Sequence, residues 1–236
     1  MARYVLPFPV LPGKTDDEVK AAGKEFNSRA TEYKESRKRA GVTFERAYLM
    51  KTPMGNFVIA YVEGSKSYGE TFAAYADPSL EINHFFADVV KRVHGVDITK
   101  PPAGPPPETV GEWTDPQVTT RKKGLAFAAP LLPGKMDAGR EFMKQAFVNR
   151  ASDQTASRRA LKINVEVVTA MSTPMGDFVS VYLEGDDPVE GNRMFAASQT
   201  PYDRWFKDEL KKIFPPEVDF DKPVPGVEEF FDSLKV

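Results

Sequence analysis

An internal repeat constrains this chain more than any other feature of its sequence. The segment Tyr4–Gly64 aligns without a gap with the segment Leu125–Gly185, at an offset of 121 residues, and 22 of the 61 aligned pairs are identical. Self-similarity of this length indicates that one structural unit is present twice. We therefore expect two similar domains, so any site residue in one copy can be compared with its counterpart in the other.

Proline-rich segments mark the ends of the two copies. Residues 100–107 read KPPAGPPP, and prolines recur from Pro215 to Pro225. Because proline cannot donate a backbone hydrogen bond, we expect extended connectors there. Trp113 and Phe230-Phe231 follow them, and we expect these aromatic rings to pack back on the copy that precedes each. The predicted domains are a first repeat at 1–100, a linker or wrap at 101–121, a second repeat at 122–220 and a C-terminal wrap at 221–236.

Hydrophobic periodicity predicts the same elements in both copies. In copy one these are a strand at Tyr4–Val10, a helix at Asp16–Ala40, strands at Phe44–Lys51 and Phe57–Glu63, a helix around Ile82–Val93 and a short strand at Val96–Ile98. Pro53 and Gly55 suit a tight hairpin turn between the two central strands. The order βαββαβ is that of the ferredoxin-like split βαβ unit.

Four motifs are shared by the copies: Pro12-Gly13-Lys14 before the first helix, Ser36-Arg37 near its end, the Thr-Pro-Met-Gly-(Asp/Asn)-Phe turn, and Tyr-x-Glu-Gly at Tyr61. With them the chain resembles the dimeric α+β barrel superfamily, and more narrowly a bacterial family of that type, with both halves fused. The resemblance implies an α+β fold in which two tandem ferredoxin-like domains form a pseudo-twofold barrel. Members of the superfamily include cofactor-free monooxygenases, haem-binding chlorite dismutases and stress-responsive barrel proteins, so the resemblance alone does not select an activity.

Composition removes several classes of function. The 236 residues carry a formal charge of −2 and no cysteine. A near-neutral chain lacks the basic surface of a nucleic-acid binder, and without cysteine there are no disulfides or thiolate metal sites. No apolar run approaches the ~20 residues of a membrane span, and the first ten residues do not form a signal peptide. We expect a cytoplasmic protein that binds neither nucleic acid nor membrane.

Short catalytic motifs are absent. Gly13-Lys14-Thr15 lacks the upstream glycine of a phosphate-binding loop, and GxGxxG, HExxH and GxSxG do not occur. The chain has two histidines, His84 and His94, and neither recurs in copy two. His94 precedes Gly95, where a cation suits a helix C-terminus. Because haem-binding relatives use a helix histidine, the resemblance would assign that role to His84, but no supporting motif surrounds it. We expect no built-in cofactor and no metal.

Candidate ligand-binding residues come from the alternation of the central strands. Phe57, Ile59, Tyr61 and Glu63 share one strand face, while Val58, Ala60 and Val62 form the opposite, plainly apolar face. In a barrel the first face would line the central space, and aromatic walls with few polar groups suit a small-molecule pocket. The predicted ligand-binding set is Tyr61, Glu63, Tyr182, Glu184, Ser180, His84, Arg37 and Arg158. In the competing interpretation the tyrosines fill the barrel and Glu63 and Glu184 pair with Arg29/Arg150 or Arg37/Arg158.

Three functions remain open from the sequence. The first is binding of a small organic molecule in the barrel, and the second is a cofactor-independent monooxygenase or isomerase-like enzyme. The third is a protein-interaction module with a filled barrel, in which the sheet edges or proline-rich wraps recruit a partner. Both a monomer and a homodimer are compatible with two copies in one chain.

Overall fold

The computed structural model describes residues 1–101, 104–224 and 226–236. Pro102, Ala103 and Pro225, which belong to the predicted proline-rich segments, lie outside the described residues. The chain divides into two compact units. Unit 1 comprises Met1–Pro107 and Gly226–Val236, and unit 2 comprises Glu108–Pro225.

The two repeats contain the same order of strands and helices, and each unit has one further strand, at the start of unit 2 and at the end of unit 1. Unit 1 contains β1 (Ala2–Pro9), α1 (Asp16–Ser28), α2 (Ala30–Ala40), β2 (Val42–Thr52), β3 (Gly55–Gly64), α3 (Tyr68–Tyr75) and α4 (Glu81–His94). Unit 2 contains β4 (Glu108–Thr114), β5 (Lys123–Pro130), α5 (Met136–Lys144), a π-helical turn (Gln145–Asn149), α6 (Ala151–Ala160), β6 (Ile163–Thr173), β7 (Gly176–Gly185), α7 (Pro188–Ala197) and α8 (Pro201–Leu210). The last strand, β8 (Val227–Asp232), belongs to unit 1.

The single helix predicted over Asp16–Ala40 is two helices. Thr15 caps α1 by accepting from the backbone N–H of Glu18, whose carboxylate accepts in return from Thr15, a reciprocal cap that satisfies two free donors. The helix breaks at Arg29, whose backbone angles (φ −114°, ψ 45°) are not helical. Gly41 ends α2 in the left-handed conformation (φ 72°), which glycine adopts without steric cost.

Within the described residues the strands form two four-stranded antiparallel sheets, in the orders β1-β3-β2-β8 and β4-β6-β7-β5. The repeated Thr-Pro-Met-Gly motif forms the β2–β3 and β6–β7 turns. Gly55 and Gly176 have φ values of 127° and 116°, which only glycine adopts readily, so the repeated glycine is explained by the turn.

The fourth strand of each sheet comes from the segment that follows the other copy. The strand predicted at Val96–Ile98 does not form: Ile98 is buried and begins a turn, and β8 completes the first sheet by pairing with β2. The strand β4, which follows copy one, pairs with β6. The expectation that Trp113 and Phe231 pack on their preceding copies is therefore wrong: each belongs to the sheet of the other copy.

The predicted α+β fold class with two ferredoxin-like units is confirmed. In unit 1, Val19 and Val89 of the helices pack against Leu49 and Val58 of the sheet. The apolar core of unit 2 is a larger cluster, and includes Phe142, Met143, Val168, Phe206 and Leu210. Among the described residues, every helix is too short or too polar to cross a bilayer.

Candidate functional site

A cavity of ≈ 100 Å³ lies in unit 1, between the sheet and the helices. Its floor is the face of β3 that carries Val58, Ala60 and Val62, with Ala47 of β2 beside it. Side chains of α1, α4 and β8 complete the walls, among them Ala22, Phe26, Val89, Val90 and Phe230. The cavity thus opens on the face that the sequence analysis assigned to plain packing.

Six positions that line the cavity carry smaller side chains than their counterparts in copy two. At the 121-residue offset the pairs are Ala22/Met143, Ala47/Val168, Ala60/Val181 and Val62/Leu183. In the last helix the offset is 120 residues, and the pairs are Val90/Leu210 and His94/Phe214. Most of these larger residues are packed in the core cluster of unit 2, and Leu183 is also buried. Because interiors are close-packed, losing methyl groups at neighbouring positions leaves a void.

One part of the cavity wall is a buried ion pair. Arg37, from α2, donates from Nε to Glu45 Oε1 of β2 at 3.0 Å, and its Nη2 lies 3.0 Å from the same oxygen. The hydroxyl of Tyr33 donates to Glu45 Oε1 and that of Tyr75 to Glu45 Oε2, at 3.1 and 3.3 Å. Arg37 Nη1 donates to Ser36 Oγ at 3.1 Å. A buried pair needs this number of bonds to offset the loss of water.

Aromatic rings enclose the Arg37 guanidinium. Its carbon lies 4.5 to 5.2 Å from the ring centroids of Phe26, Tyr33, Tyr75 and Phe86, within range of cation–π attraction. Burial raises the pKa of Tyr33 and Tyr75, and the charge of Glu45 adds to it, so both hydroxyls stay protonated and act as donors. Burial lowers the pKa of Arg37, but the charge of Glu45, the two tyrosines and the hydrogen bond to Glu45 together outweigh burial, so the pKa is raised.

His94, at the end of α4, forms another part of the wall. It is 9% exposed, and its Nδ1 lies 2.9 Å from the carbonyl oxygen of Pro9. Burial lowers the pKa of His94, although the bond to Pro9 partly opposes this shift. The imidazole is therefore neutral at pH 7, and the expected helix-terminal cation is not formed.

Unit 2 repeats the ion pair with other partners. Arg158 donates to both oxygens of Glu166, at 2.6 and 3.0 Å, and its Nη1 donates to Ser157. Gln154 stands where copy one has Tyr33, and it donates to Glu166 at 2.5 Å. The predicted site contains Arg37 and Arg158 but not Glu45 and Glu166, although the two glutamates are identical at the repeat offset and could have been found from it.

The alternative pairing predicted for Glu63 and Glu184 is wrong. Arg29 bonds Glu32 and Arg150 bonds Asp153, while Arg37 and Arg158 pair with Glu45 and Glu166. Glu63 instead accepts from Tyr61 at 2.5 Å and lies 3.3 Å from Arg3. Glu184 accepts from Tyr182 at 2.7 Å, from the backbone N–H of Lys122 at 2.9 Å and from Arg121 at 3.4 Å.

Of the eight predicted ligand-binding residues, Arg37 lines the cavity. Four others are fully buried, on the sheet face opposite that of Val58 in unit 1 and of Val179 in unit 2: Tyr61, Glu63, Tyr182 and Glu184. Ser180 lies beside them on β7, 1% exposed, and among the described residues its hydroxyl has no hydrogen-bond partner. Arg158 is engaged in its own ion pair.

His84 lies apart from these groups. It is exposed on the first turn of α4, and its Nε2 lies 2.9 Å from the carbonyl oxygen of Pro78. No group of three or more histidine, aspartate or glutamate side chains in the described part of the chain is arranged to hold a metal ion. The structure therefore does not bring His84 together with the cavity or with the buried pairs.

Comparisons with known proteins give the fold alone. A crystal structure of a "putative monooxygenase" from Fusobacterium nucleatum subsp. nucleatum is similar with a TM-score of 0.52 and 11% identity, over 96% of this chain and 88% of that one. That of an "anthrone oxidase-like protein" has a TM-score of 0.49 and 11% identity, over 97% and 92% of the two chains. No family model and no curated protein matches the sequence.

Proposed function

We propose that this protein binds a small, mostly apolar organic molecule in the cavity of unit 1, without a built-in cofactor. The observation that carries the proposal is the cavity itself, with its apolar floor and its few polar groups at the walls. Binding pockets combine apolar walls with a small number of placed polar groups. The neighbouring Arg37–Glu45 pair is already satisfied, so the space is not needed to hydrate it.

The volume sets the size of the ligand. A dry engineered cavity of about 150 Å³ binds benzene. The cavity of unit 1 is ≈ 100 Å³, smaller than that reference, so the largest ligand we propose is one aromatic ring or a short branched aliphatic chain, and a ring needs the cavity walls to adjust. A polycyclic substrate would need the surrounding helices to move.

Copy two supplies the variant that tests this proposal. Ala47 and Ala60 are cross-strand partners on the cavity floor, and Val168 and Val181 are the corresponding partners in unit 2. Toluene is the probe, and its affinity is measured by NMR titration. The wild-type protein is expected to bind toluene saturably, and the double variant Ala47→Val/Ala60→Val to lose at least tenfold in affinity because four methyl groups fill the space.

The matched control is Ala73→Val, on the exposed side of α3 and away from the cavity. It should bind toluene as the wild type does. The proposal fails if the wild type shows no saturable binding, or if the filled variant binds toluene with unchanged affinity while remaining folded.

The repeated tyrosine–glutamate pairs are a separate part of the proposal. Tyr61–Glu63 and Tyr182–Glu184 form the same bond in both units, which is why they stay candidates for a ligand surface. If Tyr61→Phe and Glu184→Gln both leave ligand affinity unchanged, these pairs are removed from the site. A weakened affinity in either variant would assign that pair to it.

The enzymatic alternative, a cofactor-independent monooxygenase or isomerase-like activity, is favoured by one observation. A neutral imidazole in an apolar cavity is a suitable general base, and His94 occupies that position. The fold-level similarity to a protein named as a monooxygenase adds analogy only. Oxygen uptake with phenol as the single-ring probe, abolished in His94→Asn, would support the monooxygenase, and no uptake above the protein-free rate would remove it.

A further inference from the structure

The polar groups of the cavity wall differ in whether they have partners. Arg37, Glu45 and Tyr75 bond one another, and Arg46 Nε donates to Asp232 Oδ2 at 3.0 Å. A ligand gains little from groups whose bonds are already made, since it would have to displace an existing partner. These groups therefore shape the cavity rather than select its ligand.

His94 is different, because one of its two ring nitrogens is free. The carbonyl of Pro9 can only accept, so the 2.9 Å contact requires that Nδ1 carries the proton. A neutral imidazole protonated at Nδ1 presents a lone pair at Nε2. Among the described residues nothing donates to this nitrogen, although His94 is 91% buried and lines the cavity.

The surroundings of His94 keep it in this state. The ring of Phe8 lies 5.7 Å from the imidazole, centroid to centroid. On the same helix Arg92 pairs with Asp88, and Lys91 lies 3.6 Å from Asp97, so these charges are balanced locally. An acceptor that has apolar neighbours and no donor among the described residues favours a ligand that donates to it over one that does not.

We infer that the ligand of this cavity is a single-ring aromatic molecule with a hydroxyl or N–H group, which donates a hydrogen bond to Nε2 of His94. Phenols and pyrrole-type heterocycles are the chemical classes that meet this description. The inference rests on the proposed function, because it names the ligand class of the same cavity. It would also place the polar end of the ligand towards α4 and the apolar end over Ala47 and Ala60.

The test compares toluene with p-cresol, which adds one hydroxyl to the same ring. Asparagine at position 94 can keep the donor to Pro9 through its amide nitrogen but has no atom at the position of Nε2. The selectivity, Kd(toluene)/Kd(p-cresol), is measured by NMR titration for the wild type and for His94→Asn. The hydration free energy of each probe is the same with either protein and cancels when the two selectivities are compared. Because the variant lacks the acceptor for the hydroxyl, its selectivity is expected to be about tenfold lower.

A second measurement does not depend on the variant folding. The imidazole ¹⁵N resonances of the wild type are recorded with each probe, and the exposed His84 serves as the internal reference because the chain has only these two histidines. p-Cresol should shift Nε2 of His94 towards the hydrogen-bonded range, and toluene should not.

Each outcome decides a separate question. The assigned ligand class would be overturned if both probes bind, the selectivity is the same in the wild type and in His94→Asn, and p-cresol causes no ¹⁵N shift. That result would leave the cavity proposal intact. Failure of both probes to bind would instead remove the proposed function on which the inference rests.

Discussion

Unit 1 and unit 2 keep the same buried arginine–glutamate pair but pack different side chains around it. The charges are identical in the two copies, and so is the serine that supports each arginine. The apolar positions nearby have diverged, with Ala47 and Ala60 in unit 1 against Val168 and Val181 in unit 2. A buried pair tolerates little change because losing one partner strands the other, whereas apolar volume can vary if the core adjusts.

The support given to each glutamate differs too. Glu45 accepts from two tyrosine hydroxyls, while Glu166 accepts from the amide of Gln154, which in turn accepts from Tyr202. Both arginines lie against aromatic rings, including Phe195 and Phe206 for Arg158, but the polar chain behind the glutamate is longer in copy two. The ≈ 100 Å³ cavity lies beside the pair of copy one.

Removing Gly226–Val236 should have the largest effect and should act on unit 1. The deletion removes β8, the ring of Phe231 that packs on Phe26 and Tyr33, and the partner of Arg46. Both tryptophans lie in unit 2, so their fluorescence reports on that unit while circular dichroism reports on both. We expect a loss of circular dichroism with native tryptophan emission. Emission shifted to that of the unfolded chain would contradict the assignment of β8 to unit 1.

Breaking either ion pair should be the next largest effect. Arg37→Ala and Arg158→Ala each leave a buried carboxylate without its cation, which typically costs about 3–5 kcal/mol of the free energy of unfolding. Urea denaturation followed by circular dichroism measures both variants, and tryptophan emission isolates the second. Conservative exposed changes such as Lys38→Arg serve as controls. A loss below about 1 kcal/mol in either variant would show that the pair is not the shared anchor of the two cores.

Opening the core of unit 2 should make it resemble unit 1. Val168→Ala with Val181→Ala removes four methyl groups from adjacent strands, and at about 0.8 kcal/mol per methyl plus the cavity term the double variant should lose about 3–5 kcal/mol. It should also gain a second toluene site, counted by NMR titration. Loss of stability without a second site would mean that the unit collapses around the smaller residues.

The smallest effect concerns pH. His94 has a lowered pKa in the folded state, so the unfolded chain binds the proton more readily and protonation favours unfolding. The contribution of His94 is thus present above about pH 6.5, the ordinary histidine value, and is lost as the pH falls towards the lower folded pKa. Between pH 7.5 and 5 the wild type should lose more stability than His94→Asn, and parallel profiles would contradict the burial of a neutral imidazole.

The sequence predicted much of the fold because the repeat doubled every signal. The turns at Gly55 and Gly176 and the alternation of the central strands were readable locally. The exchanged strands were not, since β4 and β8 are short aromatic segments whose pairing depends on contacts far along the chain, and no local pattern says which sheet they join. The break at Arg29 was missed because helical residues continue on both sides of it.

The candidate site was harder to predict. Strand alternation separated the two faces, but it could not show that the apolar face encloses a void, because a void depends on the summed volumes of Ala22, Ala47, Ala60 and their neighbours. The local sequence favours a helix-terminal cation at His94, because the contact with Pro9 that buries a neutral ring spans 85 residues and leaves no local pattern. The Arg37–Glu45 pair was the one feature that the repeat could have revealed directly.

The most direct test of the account is a methyl NMR titration of the wild-type protein with toluene. The account predicts saturable shifts of the Val58, Val62, Val89 and Val90 methyl resonances in unit 1, with those of Val168, Val179 and Val181 in unit 2 unchanged. Equal shifts in both units, or shifts confined to unit 2, would contradict the claim that the two copies diverged by opening a ligand cavity in the first.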